Sequence, residues 1–82
     1  FALNYRVYID EDWKEVYRVD NYHKFLHEQK FWRSPEPIPI NDKEGWQLRI
    51  VIKHYIDKIC LNFPKYRKYY EKAFRKRKIS SK

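Results

Sequence analysis

Residues 3–9 alternate, with Leu3, Tyr5, Val7 and Ile9 on one side and Asn4, Arg6 and Tyr8 on the other. A period of two over residues that favour extended backbone predicts a strand. Asp10-Glu11-Asp12 follows as a short acidic turn, and residues 13–20, rich in Trp, Val and Tyr, predict a second strand. So short a connection makes the two an antiparallel hairpin. Asp20-Asn21-Tyr22-His23 carries turn chemistry, because Asx side chains hydrogen-bond to their own backbone. Residues 24–32 predict a third strand, with Phe25, His27, Gln29 and Phe31 on one face and Leu26, Glu28, Lys30 and Trp32 on the other. Ser34-Pro35-Glu36-Pro37 breaks the pattern, and residues 37–40 read as a short edge strand, where missing amide donors do least harm.

The period then changes. Asn41 with Glu44 three residues later has the form of a capping box, which predicts a helix opening there. Leu48, Val51, Ile52, Tyr55, Ile56, Ile59 and Phe63 keep helical spacing and form one stripe suited to covering a sheet. Asn62-Phe63-Pro64 kinks this helix or ends it, in which case Asn62 caps a second one. Tyr66, Tyr70 and Phe74 continue at i, i+4 and i+8. The predicted fold class is α+β: an antiparallel sheet of three or four strands, then a C-terminal helical layer of one kinked or two helices. Residues 1–78 make a single domain, and 79–82 a frayed basic tail.

Charge changes the picture most. Residues 1–64 hold ten Lys/Arg and ten Asp/Glu, whereas residues 65–82 hold nine Lys/Arg and only Glu71. The net charge of +8 therefore resides in the last 18 residues. A dense cationic segment attracts polyanions, since each neutralised phosphate releases condensed counterions. Lys65, Arg67, Lys68, Lys72, Arg75, Lys76, Arg77 and Lys78 are the candidate contacts to RNA, or to DNA. The alternatives are a solvated, poorly ordered tail that aids solubility, and contact with an acidic protein or a membrane surface. The rings between these cations either stack on bases or pack on the body, and stripes at this spacing usually pack.

Composition removes several other classes. No apolar run is long enough for a membrane span. No charged segment followed by an apolar stretch marks a secretory signal, and a reducing cytoplasm is the simplest compartment. Cys60 is the one cysteine, which excludes an intrachain disulfide and a cysteine-cluster zinc site; it lies in an apolar stretch and reads as a buried thiol. No other ligand cluster predicts a metal, and no glycine-rich loop predicts a nucleotide, so no cofactor is expected. His54 reads as a surface or packing histidine.

One constellation could carry catalysis. Arg18, Asp20, His23 and His27 gather titratable groups around the end of one strand and the start of the next. A metal-independent ribonuclease needs groups that titrate near neutrality and a cation to stabilise a charged phosphorane. In this reading His23 and His27 are acid and base, Arg18 holds the phosphate and Asp20 orients a histidine. Two residues four apart on a straight strand lie about 13 Å apart, so the segment must bend for both to reach one phosphate. The competing reading is a hairpin whose polar groups satisfy turn and edge backbone.

The string Trp13-Lys14-Glu15-Val16-Tyr17-Arg18-Val19-Asp20-Asn21, followed by His23 and His27, resembles a pattern in small prokaryotic proteins that are similar to the TumE-like toxins of toxin–antitoxin pairs. The resemblance covers roughly residues 5–37. It implies a β-hairpin-plus-helix protein acting on RNA or translation, with Arg18, Asp20, Asn21, His23 and His27 as the carried-over residues and an antitoxin as a partner. The leading expectation is a small basic RNA-interacting protein, with toxin-like catalysis as an extension. The alternative is a non-catalytic assembly subunit of a ribonucleoprotein or larger complex, its rings serving protein contact.

Overall fold

The computed structural model describes residues 1–22 and 25–80, and only the backbone of 77–80. Four strands, β1 (Ala2–Ile9), β2 (Asp12–Asp20), β3 (His27–Lys30) and β4 (Ile38–Pro39), precede one long helix, α1 (Leu48–Ser80). The sheet is antiparallel in the order β1-β2-β3-β4, so the fold class is α+β as expected.

The β1–β2 hairpin closes through a two-residue turn in which Asp10 (φ 56°) and Glu11 (φ 63°) are both left-handed. That form matches the twist of the flanking strands, although it is more usually made by Asn and Gly. The register slips once: Tyr5 pairs with Tyr17 and Arg6 with Glu15, leaving Val16 as an extra residue on β2. This bulge lets two consecutive residues, Val16 and Tyr17, both be fully buried. β1 alternates without interruption, with Val7 buried and Leu3, Tyr5 and Ile9 half-buried on the helix side.

β3 is shorter than the predicted 24–32 and β4 is only two residues. The helix start differs more. Asn41 does not cap a helix: residues 41–45 form turns, with the Glu44 amide donating to the Asn41 carbonyl and Gly45 at φ 84°. A left-handed residue cannot continue a helix, so α1 begins only at Leu48, where the Ile50 and Val51 amides both donate to the Gln47 carbonyl. Further along, α1 runs unbroken through Pro64, so Pro64 does not open a second helix and Asn62 does not cap one. Asn62 instead donates its side-chain amide to the Lys58 carbonyl at 2.8 Å. Pro64 removes the amide that would have bonded to the Cys60 carbonyl, and packing on both sides of it holds the register. The helix reaches Ser80, and Ser81 and Lys82 of the predicted frayed tail lie outside the described residues.

At 1.5 Å per residue α1 is about 50 Å long, and it sets the longest dimension of a 47 × 22 × 19 Å molecule. A sheet this small cannot cover it. Val51, Tyr55, Tyr66 and Tyr70 are buried against Val7, Val16, Tyr17 and Val19, but Leu48, Ile56 and Phe63, predicted to cover the sheet, stay about half exposed. Cys60, predicted to be buried, is exposed for the same reason.

The core is aromatic. Tyr66 stacks on both Tyr17 and Trp32 at 5.0 Å. The Tyr17 hydroxyl donates to Glu28 at 2.6 Å, and Lys58 and Lys30 approach the same carboxylate at 3.6 and 3.7 Å. Burial raises the hydroxyl pKa of Tyr17, with the Glu28 carboxylate adding to it. Burial also raises Tyr66, and pushes Tyr55 up to about 12. In the unfolded chain these hydroxyls ionise near pH 10. Folding therefore favours their protonated forms, and that contribution is complete below about pH 10 and lost as pH rises toward 12 and beyond. The far-UV circular dichroism of the chain is expected to collapse cooperatively in that alkaline window. A signal that persisted through pH 12 would show that these hydroxyls do not limit stability.

Candidate functional site

The face of the sheet opposite α1 carries the polar residues. Arg18 and Asp20 on β2 lie directly across from Gln29 and His27 on β3. Asp20 and His27 are only 2% and 5% exposed. A buried carboxylate needs compensation, and Asp20 receives it at both oxygens. Its Oδ1 is 2.8 Å from His27 Nε2 and accepts from the Tyr22 amide at 3.2 Å. Its Oδ2 accepts from Arg18 Nε at 2.5 Å, and this bond raises the pKa of the guanidinium further. Arg18 Nη1 also lies 3.8 Å from Glu15. His27 Nδ1 faces the Phe25 carbonyl at 3.3 Å, so each ring nitrogen has an oxygen opposite it.

The structure therefore brings Arg18, Asp20 and His27 together, whereas His23 lies outside the described residues. Asn21, the further residue carried over by the resemblance, accepts from the Phe1 nitrogen at 2.7 Å, and its amide donates to the Phe1 carbonyl. Beside the cluster is an open cavity of about 250 Å³ lined by Arg18, Asp20, Tyr22, His27, Gln29 and Pro37. Sequence reading missed Gln29, Tyr22 and Pro37. The signal for Gln29 was the register, because pairing Asp20 with His27 sets Arg18 across from Gln29. Among the described residues no group of three His, Cys, Asp or Glu side chains is placed to hold a metal ion, and no helix is long and apolar enough to cross a membrane.

The second candidate is the C-terminal half of α1. Tyr66 and Tyr70 are buried and Phe74 half-buried, so the ring stripe packs inward. Lys14 Nζ lies 5.8 Å from the centre of the Phe74 ring, which sets position 74 beside the turn end of the hairpin. Lys65, Lys68, Lys72, Arg75 and Lys76 are exposed. Their spacings of three and four residues keep them on the side of the helix away from the sheet, along ~16 Å. Arg67 lies on the flank, held by Glu71 at 2.6 Å, and Arg75 reaches the same carboxylate at 3.8 Å. Lys65, Lys68 and Lys72 have no carboxylate partner among the described residues. Arg77 and Lys78 continue the helix backbone. His54, on the N-terminal half, is exposed, with its ring edge-on to Tyr55 at 4.8 Å and to Trp46 at 6.2 Å.

No family model, curated protein or solved structure matches this chain.

Proposed function

We propose that this protein binds single-stranded RNA, gripping the phosphate backbone along the outer face of α1. The observation that carries the reading is the row of Lys65, Lys68, Lys72, Arg75 and Lys76, exposed on one helix face together with Tyr69, while Tyr66 and Tyr70 turn inward. A row of cations with one exposed ring among them, Tyr69, grips phosphates and offers at most one stacking platform, so it positions a strand and reads little of its sequence. With about five phosphates engaged, log affinity falls with log salt at a slope of about −3.5, a loss of roughly 100-fold between about 50 and 200 mM salt. Replacing Lys65, Lys68 and Lys72 with Gln flattens that slope by about 2. Native gels of labelled RNA in EDTA across a salt series test this. Binding that is absent, or indifferent to salt, overturns it.

A second, toxin-like reading adds cleavage, and the buried Asp20 set between His27 and Arg18 beside an open cavity favours it. Arg18 would stabilise the charged phosphorane and His27 would move the proton. For that, His27 must release the Phe25 carbonyl at 3.3 Å, a longer contact than the one to Asp20 at 2.8 Å. A denaturing gel run in parallel distinguishes the readings. Cleavage that disappears in a folded His27→Gln variant supports catalysis, and intact RNA in a salt-sensitive complex supports binding alone.

A further inference from the structure

The two edges of the sheet are unlike. At one, β4 has two residues and Pro39 is one of them, with Pro37 just before it. Proline supplies no amide, so this edge cannot accept a further strand in register. At the other, β1 is eight residues long, has no proline and carries one charge, Arg6. A long edge of this kind is a template for another strand.

The outward groups of β1 can be assigned. The Phe1 carbonyl accepts from Asn21, and Ile9 pairs with Asp12 across the two-residue turn. Both ends agree that the odd residues address β2. Ala2, Asn4, Arg6 and Tyr8 then direct their amides and carbonyls away from the sheet. Beside this edge α1 presents Ile56 (44% exposed), Cys60 and Phe63 (48% exposed) at helical spacing, with Phe63 6.2 Å from Tyr5. The backbone edge and the apolar flank are continuous.

We infer that β1 is a homodimer edge, pairing antiparallel with β1 of a second copy about a two-fold axis at Tyr5. That register sets Asn4 opposite the second copy's Arg6 and Leu3 opposite its Val7, so no like charges face one another. Centring on Arg6 would oppose two guanidiniums, and centring on Asn4 would shorten the overlap. The axis is perpendicular to the sheet, so both α1 helices lie on the same side with their Ile56–Phe63 flanks turned toward each other. The outer cations of both helices then form one larger basic surface. The proline-bearing β4 edges end the assembly at two copies and prevent an open fibre.

Sedimentation equilibrium tests this without any RNA. The chain is expected at twice its 10.4 kDa mass. Asn4→Pro removes an outward amide that the hairpin does not use, and is expected to give a monomer with unchanged circular dichroism. A wild-type monomer, or a folded Asn4→Pro protein that still dimerises, overturns the inference. If Asn4→Pro fails to fold, Phe63→Asp decides: a loss of self-association of about tenfold or more supports the edge, and an unchanged dimer rejects it.

Discussion

Tyr17→Ala is expected to bring the chain to the brink of unfolding at room temperature. Tyr17 is fully buried at the bulge, its ring stacked on Tyr66 at 5.0 Å and lying 6.4 Å from Trp32. It joins the middle of the hairpin to the C-terminal half of α1. Truncating a large buried ring costs about 3–5 kcal/mol, because the lost transfer energy is joined by the cavity left behind. A domain of this size has only about 4–12 kcal/mol in total. The change also strips the Glu28 carboxylate of the hydroxyl that donates to it at 2.6 Å. Tyr17→Phe isolates that last contribution and should cost about 1–2 kcal/mol. The measurement is urea denaturation of both variants, followed by circular dichroism. An alanine variant within 1 kcal/mol of wild type, a shift of about 4–8 °C in Tm, would mean that the stack is not the centre of the core.

The hairpin was legible in the sequence because its signals are local. Period-two alternation in Leu3 to Ile9 needs no tertiary information, and neither does the proline-marked edge at Pro37–Pro39. The course of the helix was not, since the local signals at Asn41 and at Pro64 were both overruled. Asn41 and Glu44 have capping-box spacing, but Gly45 lies immediately after them and adopts φ 84°, and a left-handed residue overrides a cap. At Pro64 the tertiary structure overrides a local breaker: Tyr55 before it and Tyr66 and Tyr70 after it all pack on the same sheet. Cys60 and Phe63 show the converse error. An apolar neighbourhood along the chain was read as burial, but a helix about 50 Å long outruns its sheet. The pairing of Asp20 with His27 was only half legible. Their chemistry stood out in the sequence, but their contact depends on which residues face each other across the connection between β2 and β3.

Asp20→Asn is the second substitution expected to have a large effect, and it separates architecture from chemistry. Asp20 accepts at both oxygens, from Arg18 Nε and the Tyr22 amide, with His27 Nε2 at 2.8 Å. Asparagine keeps the shape but offers one acceptor and one donor, so one of the contacts becomes donor against donor. At a site only 2% exposed the loss cannot be made good by water, and about 2–4 kcal/mol of stability is expected to go. His27→Gln leaves the carboxylate in place and should cost less, because the glutamine amide can still donate to Asp20. If the cluster only holds β2 to β3, both variants lose stability in that order, and RNA affinity at fixed salt stays within about twofold wherever they are folded. If the cluster also handles RNA, His27→Gln abolishes cleavage at a temperature where circular dichroism shows it folded. An Asp20→Asn protein as stable as wild type would refute the architectural account, since a carboxylate this buried would then be holding nothing that the fold requires.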